Sequence, residues 1–236
     1  MKTKSYLIAV FILISVICST GSVFGEWQRV SVGKYTNTAY DICFDNDGNL
    51  LLTSYNNLQL RDKNGNWTVI PATDSLIKDI KSYIKTVIAH PNGKYYFCAD
   101  KGLYSIENGK VKQVYMNFRQ QAKNLDYDAE GNLWIAMSDS MVYKFDGKAI
   151  TDSINWKALG DPYPTYYEQE IALDYCGRIW RMNFDKLNMR DTNNKLILFD
   201  STNSPFVPNY SPEFLLRNDK REVIVTSYEP SIGIMK

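Results

Sequence analysis

The chain has 236 residues, 44% hydrophobic and 22% charged, with a formal net charge of +1. That is apolar material enough for one globular domain with its own core, and a nearly neutral chain without a Lys/Arg cluster excludes nucleic acid as the natural partner. Seventeen Tyr and five Trp, together with frequent Gly, Asn and Asp, favour strands and turns over helices.

In chain order, residues 1–25 read as a secretory signal peptide. Lys2 and Lys4 form a basic start, Tyr6 to Ile17 is an apolar run, and small residues lead to Gly21 and Gly25. The run is shorter than the roughly 20 apolar residues that cross a membrane. Val23 and Gly25 place cleavage after Gly25, with Gly21 as the alternative. Cys18 invites a lipoprotein reading, but Ile17 before it is too large for the usual lipidation site. The mature chain, 26–236, is then expected to be exported, as a periplasmic, surface or extracellular protein without a membrane span. It keeps Cys43, Cys98 and Cys176, an odd number that gives no disulfide framework. A Cys43–Cys98 bridge between neighbouring units is left open.

Beyond residue 38 one phrase recurs. FDNDGNLLLTSYNNLQLRDKNGNWTVI covers 44–70, AHPNGKYYFCADKGLYSIENGKVKQVY 89–115, YDAEGNLWIAMSDSMVYKFDGKAI 127–150 and LDYCGRIWRMNFDKLNMRDTNNKLILF 173–199. The turn glycines Gly48, Gly93, Gly131 and Gly177 are 45, 38 and 46 residues apart. A degraded fifth copy, LLRNDKREVIVTSYEPSIGIM at 215–235, places Lys220 where the others have Gly. Period-2 alternation broken by turns makes each copy a small antiparallel sheet. First strands are expected at Ala39–Asp45, Tyr83–His90, Ala122–Asp128, Gln169–Tyr175 and Glu213–Asn218, each followed across its turn by a second strand. Four short strands every 40–50 residues or so is the pattern of a β-propeller blade.

The fifth copy lacks a fourth strand, and Trp27 to Val32 resembles one, as a comparison with Asn66 to Pro71 shows. The expectation is an all-β, five-bladed propeller of four-stranded antiparallel blades, with this N-terminal strand closing the ring. Closure would remove the open sheet edge on which chains aggregate. Asp45, Asp128 and Asp174, three residues before their turn glycines, read as turn-stabilising side chains.

GNLWIA at 131–136, GLYSIENGK at 102–110 and VYKFDGK at 142–148 resemble the two-component regulator propeller repeat. That resemblance implies an extracytoplasmic bacterial sensor propeller. It is carried best by the copies at 89–115 and 127–150. The position three after the turn glycine holds Leu51, Tyr96, Trp134, Trp180 and Val223, so two copies keep the family's Trp. Family sensors have many more blades and a kinase, which this chain does not have.

Counting seven residues back from each turn gives Asp41, Thr86, Asn124, Glu170 and Glu213, all polar. Six back gives Ile42, Val87, Leu125, Ile171 and Phe214, all apolar. Alternate residues of a strand face opposite ways, so the apolar set is expected between blades and the polar set around the channel mouth. That rim would hold water, a small polar or cationic ligand, or a Ca²⁺ ion on oxygen ligands. No other cofactor is implied. The connections expected on the same face include an aromatic loop at 152–168, with Trp156, Tyr163, Tyr166 and Tyr167, and another at 201–211, with Phe206 and Tyr210. Such side chains offer large contact area with a polar handle, which fits a glycan or a partner protein. His90, the single histidine, sits in a turn on the opposite face with no nucleophile motif beside it. The function expected is a monomeric, non-catalytic binding or sensing module. The alternative is a polysaccharide hydrolase or lyase using rim carboxylates such as Asp41 and Glu170.

Overall fold

The computed structural model describes residues 39–54, 57–70, 84–99, 102–116, 118–161, 169–183, 186–199, 212–218, 220–227 and 232–235. The expected closing strand at 27–32 and the loops at 162–168 and 201–211 lie outside them. The described residues are strands and turns throughout, without a helix, so none is long and apolar enough to cross a membrane.

The described residues form nineteen strands in five antiparallel sheets, each a simple meander. The first contains β1 (Ala39–Phe44), β2 (Leu50–Ser54), β3 (Asn57–Arg61) and β4 (Trp67–Ile70). The second contains β5 (Thr86–Ala89), β6 (Tyr95–Ala99), β7 (Gly102–Glu107) and β8 (Lys110–Met116). The third is β9 (Ala122–Tyr127), β10 (Leu133–Met137), β11 (Met141–Phe145) and β12 (Ile150–Asn155). The fourth is β13 (Gln169–Leu173), β14 (Ile179–Asn183), β15 (Lys186–Arg190) and β16 (Leu196–Phe199). The fifth has three strands, β17 (Pro212–Arg217), β18 (Val223–Ser227) and β19 (Ile232–Met235). First strands neighbour one another in chain order: β1 beside β5, β5 beside β9, β9 beside β13 and β13 beside β17.

One turn builds all five units. Its last residue donates its N–H to the carbonyl three residues back, as Gly48 does to Asp45 (3.2 Å) and Gly131 to Asp128 (3.1 Å). That residue lies in the left-handed region, at φ +82° for Gly48 and +78° for Gly177, where a side chain is strained and glycine is not. In the fifth sheet the position belongs to Arg221, at φ +60°, whose N–H meets the Asn218 carbonyl at 3.0 Å. The sequence alignment, which put Lys220 there, was one residue short.

The Asp that opens the turn accepts backbone N–H groups, from Asp47 and Asn49 onto Asp45 and from Cys176 and Arg178 onto Asp174. This is the turn-stabilising role expected of Asp45, Asp128 and Asp174.

The second strand of each unit is buried on both sides. Tyr95, Phe97 and Ala99 of β6 pack toward the first sheet, with Leu51, Leu58 and Ile70, while Tyr96 and Cys98 pack toward the third, with Leu133 and Ile135. Trp134 and Ala136 join Ile171 and Leu173 in the next seam, and Trp180 and Met182 join Leu215 and Val223 in the last. The continuous apolar runs YYFCA and LWIAM are therefore two-faced strands, and each seam between sheets is a separate small core.

Candidate functional site

The first strand of each sheet is an edge, and its outward N–H groups have no ladder partner in their own sheet. The polar positions selected from the sequence answer this need. Asp41 Oδ2 accepts the Val87 N–H of the next sheet at 2.8 Å, and its Oδ1 accepts Ile42 N–H at 2.8 Å. Asn124 Oδ1 accepts Ile171 N–H at 3.2 Å. Glu170 Oε2 accepts Leu215 N–H at 2.8 Å. Thr86, fully buried, turns its hydroxyl back to Asp41. Burial pushes the Asp41 carboxyl up to about 6 against the pull of those hydrogen bonds. In four of the sheets, then, these residues share one register position and lie at the seams.

In the fifth sheet the register differs from expectation. Phe214, not Glu213, pairs opposite Thr226, as Asp41 pairs opposite Thr53 and Glu170 opposite Met182. Glu213 falls in the irregularity between Pro212 and Phe214. Leu215, 5% exposed, takes the apolar place assigned to Phe214. Counted from Arg221, which holds the turn position, seven back is Phe214 and six back is Leu215, so the one-residue error in the alignment accounts for the whole shift.

Asp126 is a seam residue that the count missed, because it lies two places further along β9. Its Oδ2 accepts Leu173 N–H at 2.7 Å, and its Oδ1 pairs with the Arg217 guanidinium of the fifth sheet at 2.9 Å.

Trp156, expected on a binding surface, is fully buried. Its ring packs in the seam between third and fourth sheets and lies 5.2 Å from the Arg181 guanidinium. Arg181 is also fully buried and pairs with Asp161, onto which Asn188 donates at 3.2 Å. Burial pulls the guanidinium below its ordinary range against the Asp161 charge. The first part of the 152–168 loop is thus tied to sheet four. Tyr163, Tyr166, Tyr167, Phe206 and Tyr210 lie outside the described residues.

His90 packs against the next sheet. Its Nε2 lies 2.9 Å from the Gly131 carbonyl, which can only accept, and its Nδ1 lies 3.2 Å from the Asn92 N–H, which can only donate. These two partners require the neutral ring protonated on Nε2. The ring takes the place that Asp occupies in three other turns, and among the described residues no nucleophile partners it. Cys43 and Cys98 are both free thiols. Among the described residues no three His, Cys, Asp or Glu side chains gather closely enough for a metal. A cavity of about 160 Å³ opens between the first two sheets beside Asp45, Asn49, Leu60, Ile70 and Tyr95; it is smaller than the few hundred Å³ usual for a small-molecule site. The Asp45 carboxylate in its wall is already taken by Asn49 and by the Tyr95 hydroxyl, at 2.5 Å.

Sheets joined in series along their first strands define a β-propeller, and solved structures agree. The chain matches streptogramin B lyase at a TM-score of 0.65 and 13% identity, over 83% of this chain and 64% of that one. YCF48 bound to D1 peptide matches at 0.61 and 16%, over 88% and 66%. The extracellular domain of the putative hybrid two-component system BT3049 from B. thetaiotaomicron matches at 0.58 and 14%, over 85% and 27%. All are β-propeller proteins, and at these identities the likeness is one of fold. The chain thus spans less than two thirds of the lyase's length and about a quarter of that of the BT3049 domain. No family model matches the chain, and no curated protein matches it in sequence.

Proposed function

We propose that the chain is an exported, five-bladed propeller, closed by residues 27–32 and acting as a non-catalytic binding or sensing module. The loops at 152–168 and 201–211 recognise a glycan or a partner protein. The observation that carries this reading is the engagement of Asp41, Asn124 and Glu170 with backbone N–H groups of neighbouring sheets. Carboxylates held in this way serve the seams and are poorly placed to move protons on a substrate. Recognition then falls to the aromatic loops. The two-component regulator resemblance and the likeness to an extracellular domain of a two-component system point the same way. The reading does not require a Ca²⁺ ion at the channel mouth.

The test is retention of the mature protein on immobilised polysaccharides and peptides. Replacing Tyr163, Tyr166, Tyr167, Phe206 and Tyr210 by Ser abolishes retention, while Asp41→Asn with Glu170→Gln leaves it. Turnover of a polysaccharide that the second pair abolishes would instead establish the hydrolase or lyase reading, to which the likeness to a lyase gives weight.

A further inference from the structure

Three of the turns between first and second strands open on an aspartate, and two of these aspartates hold a cation from their own sheet. Lys144 meets Asp128 Oδ2 at 3.0 Å, with its ammonium 5.4 Å from the Trp134 ring. Arg178 pairs with Asp174 and lies 5.6 Å from the Trp180 ring. Asp45, in the first sheet, has no ion pair among the described residues. The reason lies in β3. Leu60 pairs opposite Leu51 as Lys144 pairs opposite Trp134, so the first sheet carries an alkyl side chain where the third carries an ammonium.

The cations on the surrounding elements are turned away or engaged. Arg61 follows Leu60 and so faces the other side of β3. Lys63 is exposed in the next turn. Lys94 and Lys112 both hold Glu107, at 2.6 and 2.7 Å, on the side of the second sheet that carries Tyr96 and faces the third. Burial works to raise the Asp45 carboxyl, but hydrogen bonds from Tyr95 and Asn49 prevail and hold it below its ordinary range. It is therefore ionised at neutral pH.

Beside this carboxylate lies the cavity of about 160 Å³, between Leu60 and Ile70 of the first sheet and Tyr95, Ile106 and Asn108 of the second. A cavity of about 150 Å³ holds a guest the size of benzene, so this one is small for a sugar chain and suited to the tail of one side chain. Leu60, Ile70 and Ile106 are apolar walls belonging to the first seam. An apolar sleeve ending in a carboxylate fits an alkyl chain ending in a cation. The hydrogen bonds that Asp45 already accepts are no bar. Its Oδ2 takes the Asn49 amide at 2.8 Å and the Tyr95 hydroxyl at 2.5 Å. Asp128 Oδ2 takes the Asn132 amide at 2.9 Å and the Trp134 indole at 3.1 Å, and still binds Lys144. The third sheet is also the nearer template for the kind of cation: Asn49 stands where it has Asn132, and where the fourth sheet has Arg178.

We propose that this cavity binds an alkylammonium group, the tail of a lysine side chain or a free primary amine, with Asp45 as its counter-ion and Leu60, Ile70 and Ile106 around its carbon chain. The site lies at the turn end of the first seam and does not depend on the aromatic loops.

The test is a titration of the ¹⁵N-labelled protein with n-butylammonium chloride, at constant ionic strength with sodium chloride, following the amide shifts of Asn49 and Tyr95. n-Butanol, with the same carbon chain and no charge, is the control, and the peptide Ac-Gly-Lys-Gly-NH2 is a further arm. A saturable shift is expected with butylammonium and not with butanol. Asp45→Asn keeps an acceptor for the turn but loses the charge, and weakens binding about tenfold or more. Leu60→Lys rebuilds the arrangement of Lys144 and removes the response, because the protein's own ammonium then fills the cavity. A peptide that binds as tightly as the amine, or more tightly, identifies a lysine side chain as the guest; binding of the amine alone identifies a small amine. No saturable shift with either cation, an equal response to butanol, or unchanged affinity in either variant overturns the proposal and leaves the cavity as a packing gap between the first two sheets.

Discussion

Asp41 in the first sheet holds the Val87 N–H of the second at 2.8 Å, and the same carboxylate is pushed up to about 6 by burial. One side chain therefore bonds a seam and carries a desolvation cost. Replacing Asp41 by Ala leaves the Val87 N–H without an acceptor and is expected to cost about 1–3 kcal/mol. Asn keeps an acceptor and costs less. The pH dependence has a definite sign. A carboxyl that titrates near 6 when folded and near 3.8 when unfolded binds its proton first in the folded state, so its contribution becomes more favourable as pH falls from above 6 toward 4. Urea unfolding of wild type and Asp41→Asn across that window measures it. Identical pH profiles would remove the carboxyl from the account.

Asp128 behaves in the opposite way. Burial pushes its carboxyl up, but hydrogen bonds from Asn132, Lys144 and Trp134 prevail and hold it at about 2. Its stabilisation is complete above the unfolded value near 4 and is lost as pH falls through 4 toward 2. Trp134→Phe deletes one donor, the indole N–H at 3.1 Å, and keeps the ring in its seam. A loss of about 1 kcal/mol is expected, consistent with one hydrogen bond. A loss several times larger would mean that the packing, not the bond, was disturbed.

The Arg181–Asp161 pair joins the start of the 152–168 loop to the fourth sheet, and both residues are buried. Asp161→Ala strands a buried guanidinium and is expected to cost about 3–5 kcal/mol. Replacing both, as Arg181→Met with Asp161→Leu, is expected to recover most of that loss, because neither charge is then buried alone. Chemical denaturation of the two variants decides it. Equal damage from the single and the double change would show that the loop's packing, not its charge, holds this seam.

The blade pattern was legible in the sequence because it rests on local chemistry. An Asp and a Gly three residues later write the same turn in three units, and period-2 alternation writes the strands on either side. The polar position represented by Asp41, Asn124 and Glu170 was found by counting from that turn, and the count failed in the fifth sheet, where Arg221 and not Lys220 takes the glycine's place and the position falls on Phe214 instead of Glu213. Asp126 and Arg217 were out of reach because their pairing joins non-consecutive sheets. Trp156 was misplaced for another reason. An aromatic residue in a polar loop looks the same whether it faces solvent or a buried Arg181, and only the seam decides.

The fifth sheet yields the last prediction. Ile232–Met235 is the outer strand of a three-stranded sheet, where the other four sheets have a fourth strand. Among the described residues nothing covers its outer edge, and an uncovered strand of backbone N–H and C=O groups is a template for other chains. If residues 27–32 fill that place, deleting 26–32 from the mature chain lowers the unfolding midpoint and converts a monomer into concentration-dependent oligomers. Light scattering with hydrogen exchange at Ile232–Met235 reports both effects. Exchange in that strand should be slow in the intact mature chain and fast after the deletion. Fast exchange in both, with no change in mass, would mean that the N-terminal segment does not close the fifth sheet.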